Sequence, residues 1–151
     1  MSKRTKKNKY FSSQNSLSKR KINIRDEHLV KEDAPFMLFS FKDFQYNKQI
    51  PPGQSYTQWQ EKKLLAYMLD KFGYICNKTR VEAEQENYIK VYYDFPANSR
   101  FKNPFPETNL NWAVIMKIKG QKARVVGHII GTVFYVVFLD AEHVFFPLNK
   151  K

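Results

Sequence analysis

The stretch WAVIMKIKGQKARVVGHIIGTVFYVVFLDAEHVFF, residues 112–146, decides the fold. Trp112, Val114, Met116 and Ile118 alternate with Ala113, Ile115, Lys117 and Lys119, the two-residue period of a half-buried strand. Gly120-Gln121 suits a tight turn, and residues 123–130 form the next strand. Gly131-Thr132 carries the Gly-X pattern of a type II′ hairpin turn. Val133 to Leu139 is a third strand and His143 to Phe146 a short fourth. These residues predict an antiparallel β-meander of three to four strands.

Two-residue turns set the register of the meander. Through Gly131-Thr132, Ile130 faces Val133, His128 faces Tyr135, Val126 faces Val137 and Arg124 faces Leu139. Through Gly120-Gln121, Lys117 faces Arg124 and Ala113 faces His128. One face then gathers Trp112, Val114, Met116, Ile118, Val125, Ile129, Phe134, Val136 and Phe138 as a core wall. The other carries Lys117, Lys119, Lys122, Arg124, His128 and Tyr135 among Ile115, Val126 and Val137. Lys, Arg, His and Tyr without a carboxylate can hold a phosphodiester, move protons and stabilise negative charge. The plainer reading is the solvated outer face of a sheet.

Upstream, Phe36 to Phe41 reads as a first strand and Pro51-Pro52-Gly53 as a break. Ser55-x-x-Gln58 and Thr79-x-x-Glu82 are capping boxes that open helices. The first helix carries Trp59, Leu65, Leu69 and Phe72, with Gly73 expected as its left-handed cap. The second carries Val81, Tyr88, Ile89 and Tyr92 and ends before Pro96. The expected fold class is α+β: a short N-terminal strand and two antiparallel helices packed on the C-terminal meander. Residues 96–111, with Pro96, Pro104 and Pro106, form a loop long enough to be expected as functional or mobile.

A chain of 151 residues, 42% hydrophobic and 16% aromatic, suits one domain with a real core, placed at 34–151. No apolar run reaches the roughly 20 residues of a membrane helix, and no apolar segment follows the basic start as in a secretory leader. Cys76 has no second cysteine to pair with, so a reducing, cytoplasmic setting is expected. The net charge is +12. Lys3, Arg4, Lys6, Lys7, Lys9, Lys19, Arg20 and Lys21 fall in a first stretch without carboxylates and poor in apolar residues. Residues 1–33 therefore read as a disordered basic arm. From Ala34 on, 16 basic and 10 acidic residues leave a further +6. A polyanionic partner follows, with nucleic acid first and a solubilising tail as the bland alternative.

Other chemistries find less support. Asp140-x-x-His143 with His128 leaves a metal ligand set incomplete, and Cys76 at a helix junction reads as packing. There is no P-loop, dinucleotide glycine pattern or zinc-ribbon spacing. No metal or cofactor is expected.

The order strand, helix, helix, meander resembles the RelE/ParE/HigB superfamily of bacterial toxins. The resemblance is carried by Lys117-Ile118-Lys119-Gly120, Arg124-Val125-Val126-Gly127 and the run Val133 to His143. It covers residues 36–147 as topology and 112–146 at motif level. The loop 96–111 and the linker 42–54 are longer than such toxins usually show, and the ParE branch, which poisons gyrase, is a looser match. The resemblance implies cleavage of mRNA on the ribosome, a cognate antitoxin partner, and chemistry carried by Lys117, Arg124, His128, Tyr135 and His143. In that scheme His128 or Tyr135 is the base, Arg124 and Lys117 stabilise charge, and His143 protonates the leaving oxygen. Lys119, Lys122 and the arm add phosphate contacts. The rival class is a non-catalytic module that binds nucleic acid or a protein through the same face and arm.

Overall fold

Both capping boxes form and set where the helices begin. In the computed structural model, which describes residues 35–46 and 54–147, the Ser55 hydroxyl accepts from Gln58 N at 3.1 Å. Gln58 Oε1 accepts from Ser55 N at 2.8 Å in return. Helix α1, Tyr56–Glu61, follows. The apolar stripe expected as one helix then divides, and α2 runs Leu65–Ile75 with Gly73 inside it rather than capping it. The break is a Schellman turn: Lys63 is left-handed at φ 61, Lys63 N donates to Gln60 O, and Leu64 N donates to Trp59 O.

Helix α3, Arg80–Gln85, starts at the Thr79 box and stops far short of Pro96. Asn87, at φ 64, supplies the same turn, with its N–H on Glu84 O and that of Tyr88 on Ala83 O. Asn tolerates the left-handed region better than most residues. What was read as the rest of this helix is strand β2, Ile89–Tyr93. Its alternation of Ile89 and Val91 with Lys90 and Tyr92 is the strand period.

The remaining strands are β1, Leu38–Ser40, β3, Trp112–Ile115, β4, Arg124–Ile130, and β5, Val133–Asp140. The five form one mixed sheet in the order β1-β5-β4-β3-β2. The α+β class holds, and β3, β4 and β5 make the meander, with β1 joining β5 in parallel. Residues 143–146 form no strand. They turn back across the sheet because the buried Asp140 carboxylate accepts from Val144 N at 2.9 Å and Phe145 N at 2.8 Å.

The register departs from expectation at two places. Ile130 faces Val133 and His128 faces Tyr135 as expected, but a β-bulge then pairs Val126 with Phe138 and Arg124 with Asp140. Val137 is the extra residue. Gly127 permits this close approach, because a methyl group there would collide with the Tyr135 carbonyl oxygen and the Phe134 ring. On the other side, Trp112 rather than Ala113 faces His128, because the connection from Met116 to Ala123 is longer than a two-residue turn.

A one-residue slip moves a whole strand to the other face. Ala113, Ile115, Val125, Ile129, Phe134, Val136 and Leu139 pack on Met37, Trp59, Met68, Phe72 and Ile75. Trp112, Val114, Val126, Val137 and Phe138 pack on Phe101 and Phe145, flanked by Phe95, Phe105 and Leu110. Each large side chain so buried contributes roughly 1.5–3 kcal/mol, so both faces of the sheet are core. The expected open basic face is overturned across its middle: residues of the 96–111 loop cover it, and that loop is packing. No helix among the described residues is long and apolar enough to cross a membrane.

Candidate functional site

Face alternation puts Lys90, Tyr92, Arg124 and His128 on the second face, and its ionic residues sit at two ends of an aromatic belt. At the Arg124 end a cleft of about 510 Å³ is lined by Lys90, Tyr92, Met116, Gln121, Lys122, Arg124, His143 and Phe146. A second hollow of about 220 Å³ shares Met116, Gln121 and Arg124 with it and adds Asn87, Lys117 and Gly120.

Arg124 opens β4 and is half-buried. Its Nη1 donates to Gln121 O at 2.8 Å and more weakly to Ala123 O at 3.4 Å, while its Nε is buried without a partner among the described residues. Among the described residues no carboxylate forms an ion pair with it. Burial pushes its pKa down, with Tyr92 and Asp140 opposing, but a guanidinium stays charged at any ordinary pH. A cation held only by main-chain carbonyls keeps its charge for a ligand.

His143 stands across the cleft at φ 61, on the turn that Asp140 holds. Gln54 secures the same turn, accepting from Ala141 N at 2.9 Å and from the Trp59 indole at 2.6 Å. Burial, and then the nearby Arg124 charge, lower the His143 pKa below its usual 6.5, with Asp140 opposing. The imidazole is therefore neutral near pH 7 and free to take a proton. Tyr92 is the extra residue of a bulge between Val91 and Tyr93. Its ring packs on Phe146 at 4.6 Å. Burial raises its pKa above the usual 10.0, against the Arg124 charge, so its hydroxyl stays a donor. Lys90 Nζ lies 5.5 Å from that ring. Lys122 is tied at the rim to Glu142 at 2.9 Å.

His128 and Tyr135 do not reach this cleft. Their rings stack on each other at 4.7 Å, at the far end of β4. His128 is 4% exposed, and its Nε2 lies 2.9 Å from Asp43 Oδ2. Burial works to raise the Asp43 pKa, but the hydrogen bonds from His128 and Lys42 outweigh it and hold the carboxyl low.

Of the residues read from the sequence, Arg124, His143 and Lys122 meet in one cleft, and Lys117 lines the adjoining hollow. Lys117 leaves the strand at φ 63, donates to Glu86 O at 2.9 Å and lies 4.6 Å above the Tyr88 ring. Lys119 sits over the Tyr67 ring at 4.8 Å. Lys3, Arg4, Lys6, Lys7, Lys19, Arg20 and Lys21 lie outside the described residues. Lys90 and Tyr92 were missed because their segment was read as helix; its strand alternation was the available signal. No three His, Cys, Asp or Glu side chains converge as a metal ligand set among the described residues. No protein-family model, curated protein or solved structure matches this chain, so its geometry and chemistry alone speak for the site.

Proposed function

We propose that this protein binds RNA and cleaves it at the Arg124 cleft by general acid–base catalysis, as the resemblance to RelE/ParE/HigB toxins implies. One observation carries the reading: a guanidinium with no carboxylate partner among the described residues and a histidine held toward its neutral form line one concave surface. His143 takes the proton of an RNA 2′-hydroxyl, and that oxygen bonds to the adjacent phosphorus. The bond from phosphorus to the 5′-oxygen breaks, and Tyr92 gives the leaving oxygen its proton. The products are a 2′,3′-cyclic phosphate and a 5′-hydroxyl end, and His143 and Tyr92 then exchange protons with water. Arg124 and Lys90 stabilise the charge that builds on the phosphate oxygens. His128 and Tyr135 take no part in this scheme. The ribosome and a cognate antitoxin protein are the partners that go with it.

The full chain, alone and with ribosomes, is the material for the test, with end-labelled RNA as substrate. Arg124→Ala is expected to slow cleavage by about 10²–10³-fold, and His143→Gln by a similar factor, both with unchanged circular dichroism. Undiminished cleavage by the two variants sinks the assignment. Binding that weakens steeply with salt, with no cleavage by the unaltered chain, replaces it with the non-catalytic reading.

A further inference from the structure

One face of α2 alternates tyrosine and lysine, and nothing in the cleft reading uses it. Tyr67, Lys71 and Tyr74 follow the four- and three-residue spacing that puts side chains on one side of a helix, and Lys78 follows just past its C-terminal end. Tyr67 is 44% exposed and Tyr74 45%, so much of each ring is open to solvent. Lys71 Nζ lies 5.7 Å from the Tyr74 centroid and 5.0 Å from that of Tyr88. Tyr74 and Tyr88 are themselves neighbours at 5.1 Å, and Lys78 sits 5.0 Å from Tyr74.

The stripe runs on into the site. Tyr88 carries Lys117 above its ring, and Lys117 lines the hollow that shares Arg124 with the cleft. At the other end Tyr67 carries Lys119 and borders a hollow of about 400 Å³ lined by Gln60, Lys63, Leu65, Ala66 and Leu69. The carboxylates at hand are Glu86, which pairs with Lys78 at 3.1 Å, and Asp70 at the stripe's edge. Lys71, Lys117 and Lys119 keep their charges unpaired by any carboxylate among the described residues.

We infer that this stripe is a track for unpaired RNA, whose bases stack on the exposed Tyr67 and Tyr74 and whose phosphates meet Lys71, Lys117 and Lys119. Resting on the RNA reading of the cleft, it names the substrate class as single-stranded. Tyr74 lies seven helical steps after Tyr67, about 10 Å at 1.5 Å per residue, which matches roughly three base steps at 3.4 Å. Lysines alone would suit any polyanion; exposed rings between them favour a ligand with flat faces to offer. A duplex hides those faces.

The test measures binding by fluorescence anisotropy, using the full chain and a labelled ten-nucleotide oligouridylate, the same strand in a duplex, and polyglutamate. Salt is raised so that lysine contacts alone fade. The single strand is expected to bind tighter than either rival, and Tyr67→Leu with Tyr74→Leu to weaken it by at least about ten-fold. Folding of the double variant is checked by its melting curve, and Tyr67→Phe with Tyr74→Phe, which keeps the rings, is expected to restore binding. Equal binding of polyglutamate overturns the inference in favour of an acidic protein partner. Leucine variants that bind like the unaltered chain overturn it outright. If they lose binding while Arg124→Ala and His143→Gln leave cleavage intact, the track stands and the cleft assignment falls. If the reverse pattern appears, the cleft stands and the track falls.

Discussion

The two ends of β4 carry residues of like kind on the same face and differ in what surrounds them. Arg124 and His128 are four residues apart, about 13 Å along a strand. At the His128 end, residues 41–46 run beside β5, with Gln45 N donating to Val137 O at 3.0 Å, and Asp43 Oδ2 takes up His128 Nε2 at 2.9 Å. At the Arg124 end the turn at 141–146 stands beside the strand and leaves a cleft, with main-chain carbonyls as the only partners of Arg124 among the described residues. A basic residue on a sheet face is available to a ligand only where the chain neither covers nor neutralises it. His128 is held by the fold, and Arg124 is presented by it.

The bulge that separates these ends is the most sensitive point of the comparison. Gly127→Ala forces a methyl group against the Tyr135 carbonyl, and the strands cannot move apart without losing their ladder. The expected loss exceeds about 3 kcal/mol of stability, read from urea unfolding, with a chain that fails to fold as the extreme. Stability close to that of the unaltered chain would show that the bulge does not depend on glycine.

Next comes Asp140, which shapes only the Arg124 end. Asp140→Ala removes the acceptor for Val144 N and Phe145 N, and a buried amide left unmatched costs about 1–3 kcal/mol. The same change releases His143, so the cleavage proposed for this cleft should fall with stability. Asp140→Asn keeps one acceptor oxygen and should lose less of both.

The smallest effect is in acid. The His143 pKa is lower in the folded chain than its ordinary 6.5, so below pH 6.5 the unfolded chain binds more proton and stability falls as pH falls. The Asp43 pKa is held under 3.8; its contribution is present above pH 3.8 and disappears as pH drops through the folded value. His143→Gln should flatten the stability profile just below pH 6.5, and Asp43→Asn only below pH 3.8. Profiles that change in the same window would mean the two ends are coupled.

Local signals were legible where local chemistry controls the outcome. Ser55 and Thr79 cap helices because the bonds they make lie within four residues. The hairpin at Gly131-Thr132 set its own register as far as Gly127 and Val136. The Schellman turns at Lys63 and Asn87 were harder to read: Asn87 is a recognisable cap, whereas lysine carries no preference for the left-handed region. Beyond the hairpin, the bulge at Val137 and the long connection after Met116 each shifted the register by one residue.

The sequence by itself determined that an α+β chain with an antiparallel meander and an excess of positive charge would form, since alternation, capping boxes and turn residues act within a few positions. It also placed Arg124, His128 and Tyr135 on one face. Only the tertiary structure decided which of them meets solvent. Phe101, Phe138 and Phe145 close the middle of that face, Asp43 closes one end, and the Asp140 turn brings His143 to the other. Those contacts join residues as many as 85 positions apart, a separation at which no local pattern carries information.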